Sequence, residues 1–300
     1  MRRRDGCPLD RRRRRVRLVT AARAISGLRE VADDYDVYLV DQWGVLHDGH
    51  TAHDAAIEAM QRLKDDGKKL IILSNSSRRA STTRDNLIRM EINPVLFDSF
   101  TTSGEEVWRA LRSRNDKFYA GLGRKCVVMQ WGKDEQFFEG LDLEPVDMIE
   151  EAEFILLNGT EKDRFPEYAA LLRNAAERNL PLVCSNGDFV SITPDGELVQ
   201  CPGVVARRYE ALGGRVRWHG KPTKGAYRMA LNGVAADARI LAIGDSLYHD
   251  IGGAAANGFS SLFITSGIHR PELEATPDAL EPLYAQYGAT PTYVLRDLVW

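Results

Sequence analysis

An α/β fold built on a parallel sheet is predicted by three features of this 300-residue chain. From about residue 36, short apolar runs alternate with amphipathic stretches, the order that strands joined by crossover helices produce. Unusual polar residues recur at the ends of the predicted strands, where open parallel sheets build ligand sites. The chain is also long enough for one large or two moderate domains with a substantial core.

DVYLVDQ (36–42) reads as a buried strand ending in a carboxylate. Residues 54–66 place Ala55, Ala56, Ala59, Met60 and Leu63 at helical spacing, and Gly67 ends the helix. KKLIILSNSS (68–77) is a second strand running into a polar turn, followed by a helix over 79–91. A second series has strands in KCVVMQW (125–131), AEFILLNG (152–159) and LPLVCSN (180–186), with helices near 133–139 and 165–178. A third series contains VRWHGKP (216–222), a helix near 223–233, RILAIGDS (239–246), a helix near 248–257 and SSLFITSG (260–267).

The formal net charge of −3 conceals an asymmetry, because nine arginines lie within the first seventeen residues against only Asp5 and Asp10. The remaining chain is acidic, which argues against a nucleic-acid-binding surface on it. The arm reads as a basic tail for an acidic partner, a transit peptide or a disordered extension. It has no serine before Ser26, unlike a transit peptide, and its arginines lack apolar periodicity, which predicts disorder. Cys7, Cys126, Cys184 and Cys201 are scattered, a pattern that supports neither a zinc site nor a disulfide framework. No apolar stretch approaches the ~18 residues of a spanning helix. The expectation is a cytoplasmic protein with reduced thiols and no membrane partner.

The chemistry-bearing positions are Asp41, Ser74 with Asn75, Lys221, and Asp245 with Asp250. Singly, each has a structural explanation: a turn-forming aspartate, a helix N-cap, a solvated loop lysine, a cap followed by an exposed face. In this order and at strand ends, they form the set that metal-assisted phosphoryl transfer requires. One carboxylate attacks phosphorus, a hydroxyl and a lysine hold phosphoryl oxygens, and two further carboxylates grip a hard cation.

The motifs resemble those of the haloacid dehalogenase (HAD) superfamily, subfamily IIA, which includes NagD-like and pyridoxal-phosphate phosphatases. DQWGVLHDG (41–49) resembles motif one, LSNSSRR (73–79) motif two, HGKP (219–222) motif three and GDSLYHDIGGAAANG (244–258) motif four. The resemblance covers the chain from about residue 31. It implies a Rossmann-like core over 31–103 and 203–300, an inserted α/β cap over 104–202, and a basic arm over 1–30. It further implies Mg2+ as cofactor, with Asp41 as nucleophile and metal ligand. Ser74 and the amide of Asn75 would bind the phosphoryl group, and Lys221 would pair with it and with Asp41. Asp245, Asp250 and the backbone carbonyl of Trp43 would complete the metal site. A small phosphorylated metabolite is the implied partner, and a homodimer through the cap is open.

Family phosphatases carry a second aspartate two residues after the nucleophile, which protonates the leaving alkoxide and later activates water. This chain has Trp43, which exchanges no proton at neutral pH, and loss of such a group typically costs ~10²–10⁴ in rate. Three readings follow. One is a phosphatase with a substitute acid, with His47 and Asp48 as candidates, or with stable leaving groups. Another is dehalogenase chemistry, disfavoured by the presence of Asp245 and Asp250. The third is a near-inactive protein that binds a phosphometabolite and magnesium. The run His47, His50, His53 reads as a solvated turn rather than a metal site. In SNGDF (185–189), Asn186 and Asp188 are the substrate-contact candidates, against a plain Asn-Gly turn. Trp131, Phe137 and Phe138 read as core packing in preference to an aromatic wall.

Overall fold

The computed structural model describes residues 21–132, 134–192, 197–276 and 279–300. Its strands, in chain order, are β1 (Arg23–Ala24), β2 (Val37–Val40), β3 (Lys69–Ser74), β4 (Ser99–Thr102), β5 (Lys125–Met129), β6 (Glu144–Pro145) and β7 (Phe154–Leu157). They continue with β8 (Pro181–Cys184), β9 (Val190–Ile192), β10 (Leu198–Gln200), β11 (Arg215–Trp218), β12 (Ile240–Gly244), β13 (Ser260–Ile264) and β14 (Tyr293–Leu295). A seven-stranded sheet has the order β1-β14-β13-β12-β2-β3-β4, and every pairing in it is parallel.

The alternation of side chains along a strand explains how this sheet is covered. Tyr38, Val40, Leu70 and Ile72 face one core with Met60 and Leu63, while Val37, Leu39, Ile71 and Leu73 face another with Ala226, Tyr227 and Ala254. The helix Asp54–Asp65 buries Ala56, Ala59, Met60 and Leu63, four positions on one face at the predicted spacing. Gly67 follows it at φ +72, a left-handed turn that glycine adopts without a Cβ penalty.

From β2 the chain builds outward through β3 and β4, then later returns to the opposite side of β2 with β12, β13 and β14. That reversal makes the crevice beyond the ends of β2 and β12 a topological switch point, the position at which such sheets bind ligands. The parallel α/β architecture expected from the sequence is thus the observed one.

A second parallel sheet, β11-β8-β7-β5-β6, is inserted between β4 and β12, and β9 and β10 form an antiparallel pair. Its extent corrects the expected partition at 202/203. The segment around VRWHGKP, read as part of the returning core, supplies β11, which pairs with β8 in the inserted sheet. The basic arm expected over 1–30 also needs correction. Residues 1–20 lie outside the described residues, but Arg23–Ala24 pairs with β14 and Leu28 is fully buried against the core. The helices Ser103–Ser113 and Pro202–Ala211 and the strands β1, β4, β6 and β14 were not read from the sequence.

Candidate active site

Three neighbouring strands of the large sheet end at one point. Asp41 leaves β2, and its backbone N–H donates to the Ile243 carbonyl of β12 at 2.9 Å. Asp245 follows β12 directly, and Asp250 lies in a turn of π-helix, Leu247–Ile251, that leads into the helix Gly252–Asn257. Such wide turns recur at functional sites because they re-aim side chains. The Ser246 hydroxyl caps the turn by accepting from the His249 N–H at 3.2 Å. One carboxylate oxygen from each of Asp41, Asp245 and Asp250 lies within 4.8 Å of the others.

Lys221 threads into this group from the loop after β11. Its Nζ lies 2.8 Å from Asp41 Oδ1 and 2.7 Å from Asp250 Oδ1, with its side chain only 3% exposed. Burial pulls the ammonium down, but the Asp250 and Asp41 carboxylates outweigh it and hold its pKa above the ordinary value. Among the described residues no cation pairs directly with Asp245; its Oδ2 accepts from the Ile268 N–H at 2.8 Å. Burial, followed by the charges of Asp41 and Asp250, holds the Asp245 carboxyl well above the usual range. Asp41 is raised chiefly by burial, with Lys221 opposing.

The backbone makes room for this crowding with glycine. At Gly44, φ is +77 and an added Cβ would stand 2.1 Å from Asp245 Oδ2, so the chain after Asp41 passes against a carboxylate that no other residue would admit. Oxygens on opposite sides of one magnesium ion lie ~4 Å apart. Two buried carboxylates and the partly buried Asp41 at this spacing, with one lysine among them, therefore fit a hard divalent cation.

Ser74 closes β3 and is buried, with its Oγ accepting the Ser76 N–H at 3.2 Å. The Asn75 side chain acts as a structural link. Its Oδ1 accepts the Lys221 N–H at 2.6 Å, and its Nδ2 donates to the Lys221 carbonyl at 3.1 Å and to Asp188 Oδ1 at 2.8 Å. Asn186 accepts the Asp188 N–H through Oδ1 at 2.8 Å, and the Asn75 bond ties Asp188 to the core site.

Trp43 is 40% exposed at the mouth of the site. Its ring rests on Gly49, where a Cβ would come within 2.3 Å, and meets His47 edge-on at a 6.0 Å centroid separation. His47 departs from the solvated turn expected of it. It is buried, its Nδ1 accepts the Gly49 N–H at 3.0 Å, and burial pushes its pKa down to about 4. Asp48 uses Oδ1 to accept the His50 and Thr51 N–H groups. His50 and His53 are exposed, and His47, His50 and His53 are not among the residues gathered for a metal.

The site opens into a cavity of about 860 Å3 between the two sheets. The inserted sheet also presents strand C-terminal ends here: Trp131 beyond β5, Asn158 to Thr160 beyond β7, and Asn186 with Asp188 beyond β8. Trp131 is 69% exposed, contrary to the core packing expected, whereas Phe137 is fully buried as expected and Phe138 packs beside it.

Several contributors carry no sequence signal. The Ile268 N–H that anchors Asp245 acts through its backbone. Behind Lys221, Tyr119 bonds His219 Nε2, His219 Nδ1 lies 3.3 Å from Glu106 Oε1, and Glu106 Oε2 accepts the Gly220 N–H at 3.0 Å. Of this group His219 and Gly220 lie within a recognisable motif, whereas Tyr119 and Glu106 do not.

Among known proteins, a family model described as haloacid dehalogenase-like hydrolase matches residues 38–144, and a second, HAD-hydrolase-like, matches 218–300. A haloacid dehalogenase-like hydrolase from Brucella suis 1330 has a crystal structure 30% identical to this chain, covering 82% of this chain and 90% of its own, with a TM-score of 0.74. The D-glycerol 3-phosphate phosphatase of Mycobacterium tuberculosis is 25% identical over 274 residues, 90% of this chain and 72% of its own. A crystal structure of glycerol phosphate phosphatase from Mycobacterium tuberculosis in complex with magnesium shares the fold, at 21% identity, TM-score 0.63, and 89% and 76% coverage. With the identity to the Brucella suis protein extending along most of both chains, this chain belongs to the haloacid dehalogenase-like hydrolase family.

Proposed function

We propose that the protein is a magnesium-dependent phosphatase that removes the phosphoryl group from a small phosphorylated metabolite by way of an aspartyl-phosphate on Asp41. The observation that carries this reading is the convergence of Asp41, Asp245 and Asp250 at a switch-point crevice, with the Lys221 ammonium bridging Asp41 and Asp250. Two relatives that span most of the chain are named as phosphatases, a third is named as a 5'-nucleotidase, and a structural neighbour is a complex with magnesium.

In this mechanism Asp41 attacks phosphorus. Ser74 Oγ and the Asn75 N–H hold equatorial phosphoryl oxygens, and Lys221 neutralises charge on both the nucleophile and the phosphoryl group. Asp41, Asp245, Asp250 and the Trp43 carbonyl would hold Mg2+, which would supply the positive charge that lets a dianionic phosphate approach three carboxylates. Asn186 and Asp188 face the rest of the substrate. Trp43 puts an indole where an acid would otherwise assist departure of the leaving group, so position 43 supplies no proton to that step. The same indole favours a second reading, a near-inactive phosphometabolite-binding protein.

A phosphometabolite panel with Mg2+, run on the wild type and Trp43→Asp together, separates the two. The phosphatase reading expects hydrolysis of p-nitrophenyl phosphate that EDTA abolishes, and alkyl-phosphate turnover raised at least ~10-fold by Trp43→Asp. No turnover by either protein on any phosphate ester supports the binding reading instead.

A further inference from the structure

In-line displacement sets the leaving oxygen opposite the attacking Asp41 oxygen across phosphorus. Asp41, Lys221 and Ser74 surround one side of that centre, so the leaving oxygen points into the cavity, towards the inserted sheet. A proton donor must therefore stand on the cavity side, within hydrogen-bond reach of that oxygen. Several titratable groups around the mouth of the site are already occupied. His47 is buried with Nδ1 engaged by Gly49, and Asp48 is satisfied by two backbone N–H groups. Asp134 is paired with Arg78 at 2.9 Å. The Nε2 of His249 lies 3.0 Å from the Gly187 carbonyl, and its Nδ1 lies 3.0 Å from the Ser246 hydroxyl.

Asp188 differs from all of these. It lines the cavity on the loop after β8, and its side chain is 31% exposed. Among the described residues its side-chain contacts, Asn75 Nδ2 at 2.8 Å and His249 Nδ1 at 3.5 Å, fall on Oδ1. Its backbone is fixed from both sides: its N–H donates to Asn186 Oδ1, and its carbonyl accepts the Gly203 N–H at 2.9 Å.

We propose that Asp188 is the proton donor and acceptor that position 43 lacks. The inference rests on the phosphatase reading above. In the first half-reaction an Asp41 oxygen bonds to phosphorus, the bond from phosphorus to the ester oxygen breaks, and its electron pair stays on that oxygen. The ester oxygen takes the Asp188 carboxyl proton and leaves as the alcohol. In the second half-reaction the Asp188 carboxylate takes a proton from water as the water oxygen bonds to phosphorus. The bond to Asp41 breaks, inorganic phosphate departs, and both aspartates return to their starting forms. Asn75 holds Oδ1, which positions the carboxyl throughout.

Asp188→Asn keeps an oxygen for Asn75 to bond but removes the proton. Rapid-mixing kinetics with Mg2+ should then show about one equivalent of p-nitrophenolate released per active site, because that leaving group departs unaided. Slow turnover follows, reduced ~10²–10⁴-fold, because water is no longer activated. An alkyl phosphate should show a comparable loss with no burst, since its first half-reaction needs the acid. Asp188→Glu should regain part of the alkyl rate, and Trp43→Asp in the Asp188→Asn background should restore it. Wild-type turnover in Asp188→Asn overturns the proposal. So does an equal loss on both substrates without a burst in a variant of unchanged melting temperature, which would make Asp188 a positioning residue. A wild type that hydrolyses neither ester overturns the phosphatase reading and this inference with it.

Discussion

Replacing Asp245 with asparagine should make the metal-free protein more stable while removing its response to magnesium. Asp245, Asp41 and Asp250 place oxygens within 4.8 Å, where two like charges repel by ~3.5 kcal/mol at an effective dielectric constant of ~20. Lys221 offsets one of the two neighbouring charges, and Asp245 lowers its own cost by holding a proton. A net gain of about 1–3 kcal/mol for Asp245→Asn in EDTA at pH 8 follows from that residual repulsion. The sign of the pH dependence is fixed by the raised carboxyl. Above the ordinary aspartate range the unfolded state carries fewer protons than the folded one, so metal-free wild type loses stability as pH rises. The advantage of the variant should therefore shrink as pH is lowered towards 4. Magnesium at 1,000 times its dissociation constant should stabilise the wild type by ~4 kcal/mol and the variant far less. Urea denaturation with EDTA and with MgCl2 reads all of these quantities. A variant no more stable than wild type in EDTA at pH 8, or stabilised equally by magnesium, would refute the reasoning.

Two further predictions come from the same burial. Lys221→Met strips the cation from between Asp41 and Asp250 and should destabilise the metal-free protein by ~3–5 kcal/mol, with turnover reduced at least ~100-fold; a variant matching wild type in both urea denaturation and rate would remove Lys221 from the site. Burial pushes the thiols of Cys126, Cys184 and Cys201 up to about 12, so a Cys7→Ser protein should show no fast thiol towards an aromatic disulfide reagent at pH 8 and three after denaturation. A fast-reacting thiol in the native variant contradicts that burial.

The positions of Asp41, Ser74 and Asp245 were legible because each follows an apolar run with a clear strand signature, and a parallel sheet puts all such ends on one edge. Lys221 was legible as a residue but not by address. The short run before it gives no hint of its sheet partner, and pairing with β8 is a non-local fact. Strand β4 has no apolar run to mark it, because three of the four residues of Ser99–Thr102 are polar and pairing with β3 fixes its place. The Asn75 side chain meets Lys221 and Asp188, residues 146 and 113 positions away, and no local pattern announces such a contact. Trp131 shows the limit of composition. An indole suits a core or a cavity wall equally well, and only the tertiary structure leaves it 69% exposed.

The central claim is that phosphorus passes through Asp41, and borohydride trapping during turnover tests it most directly. Reduction converts an acyl phosphate to an alcohol, so peptide mass spectrometry of protein quenched with phosphate ester and Mg2+ should find homoserine at position 41 and nowhere else. Phosphate release that continues while Asp41 is recovered unmodified, or reduction at another carboxylate, would contradict the account.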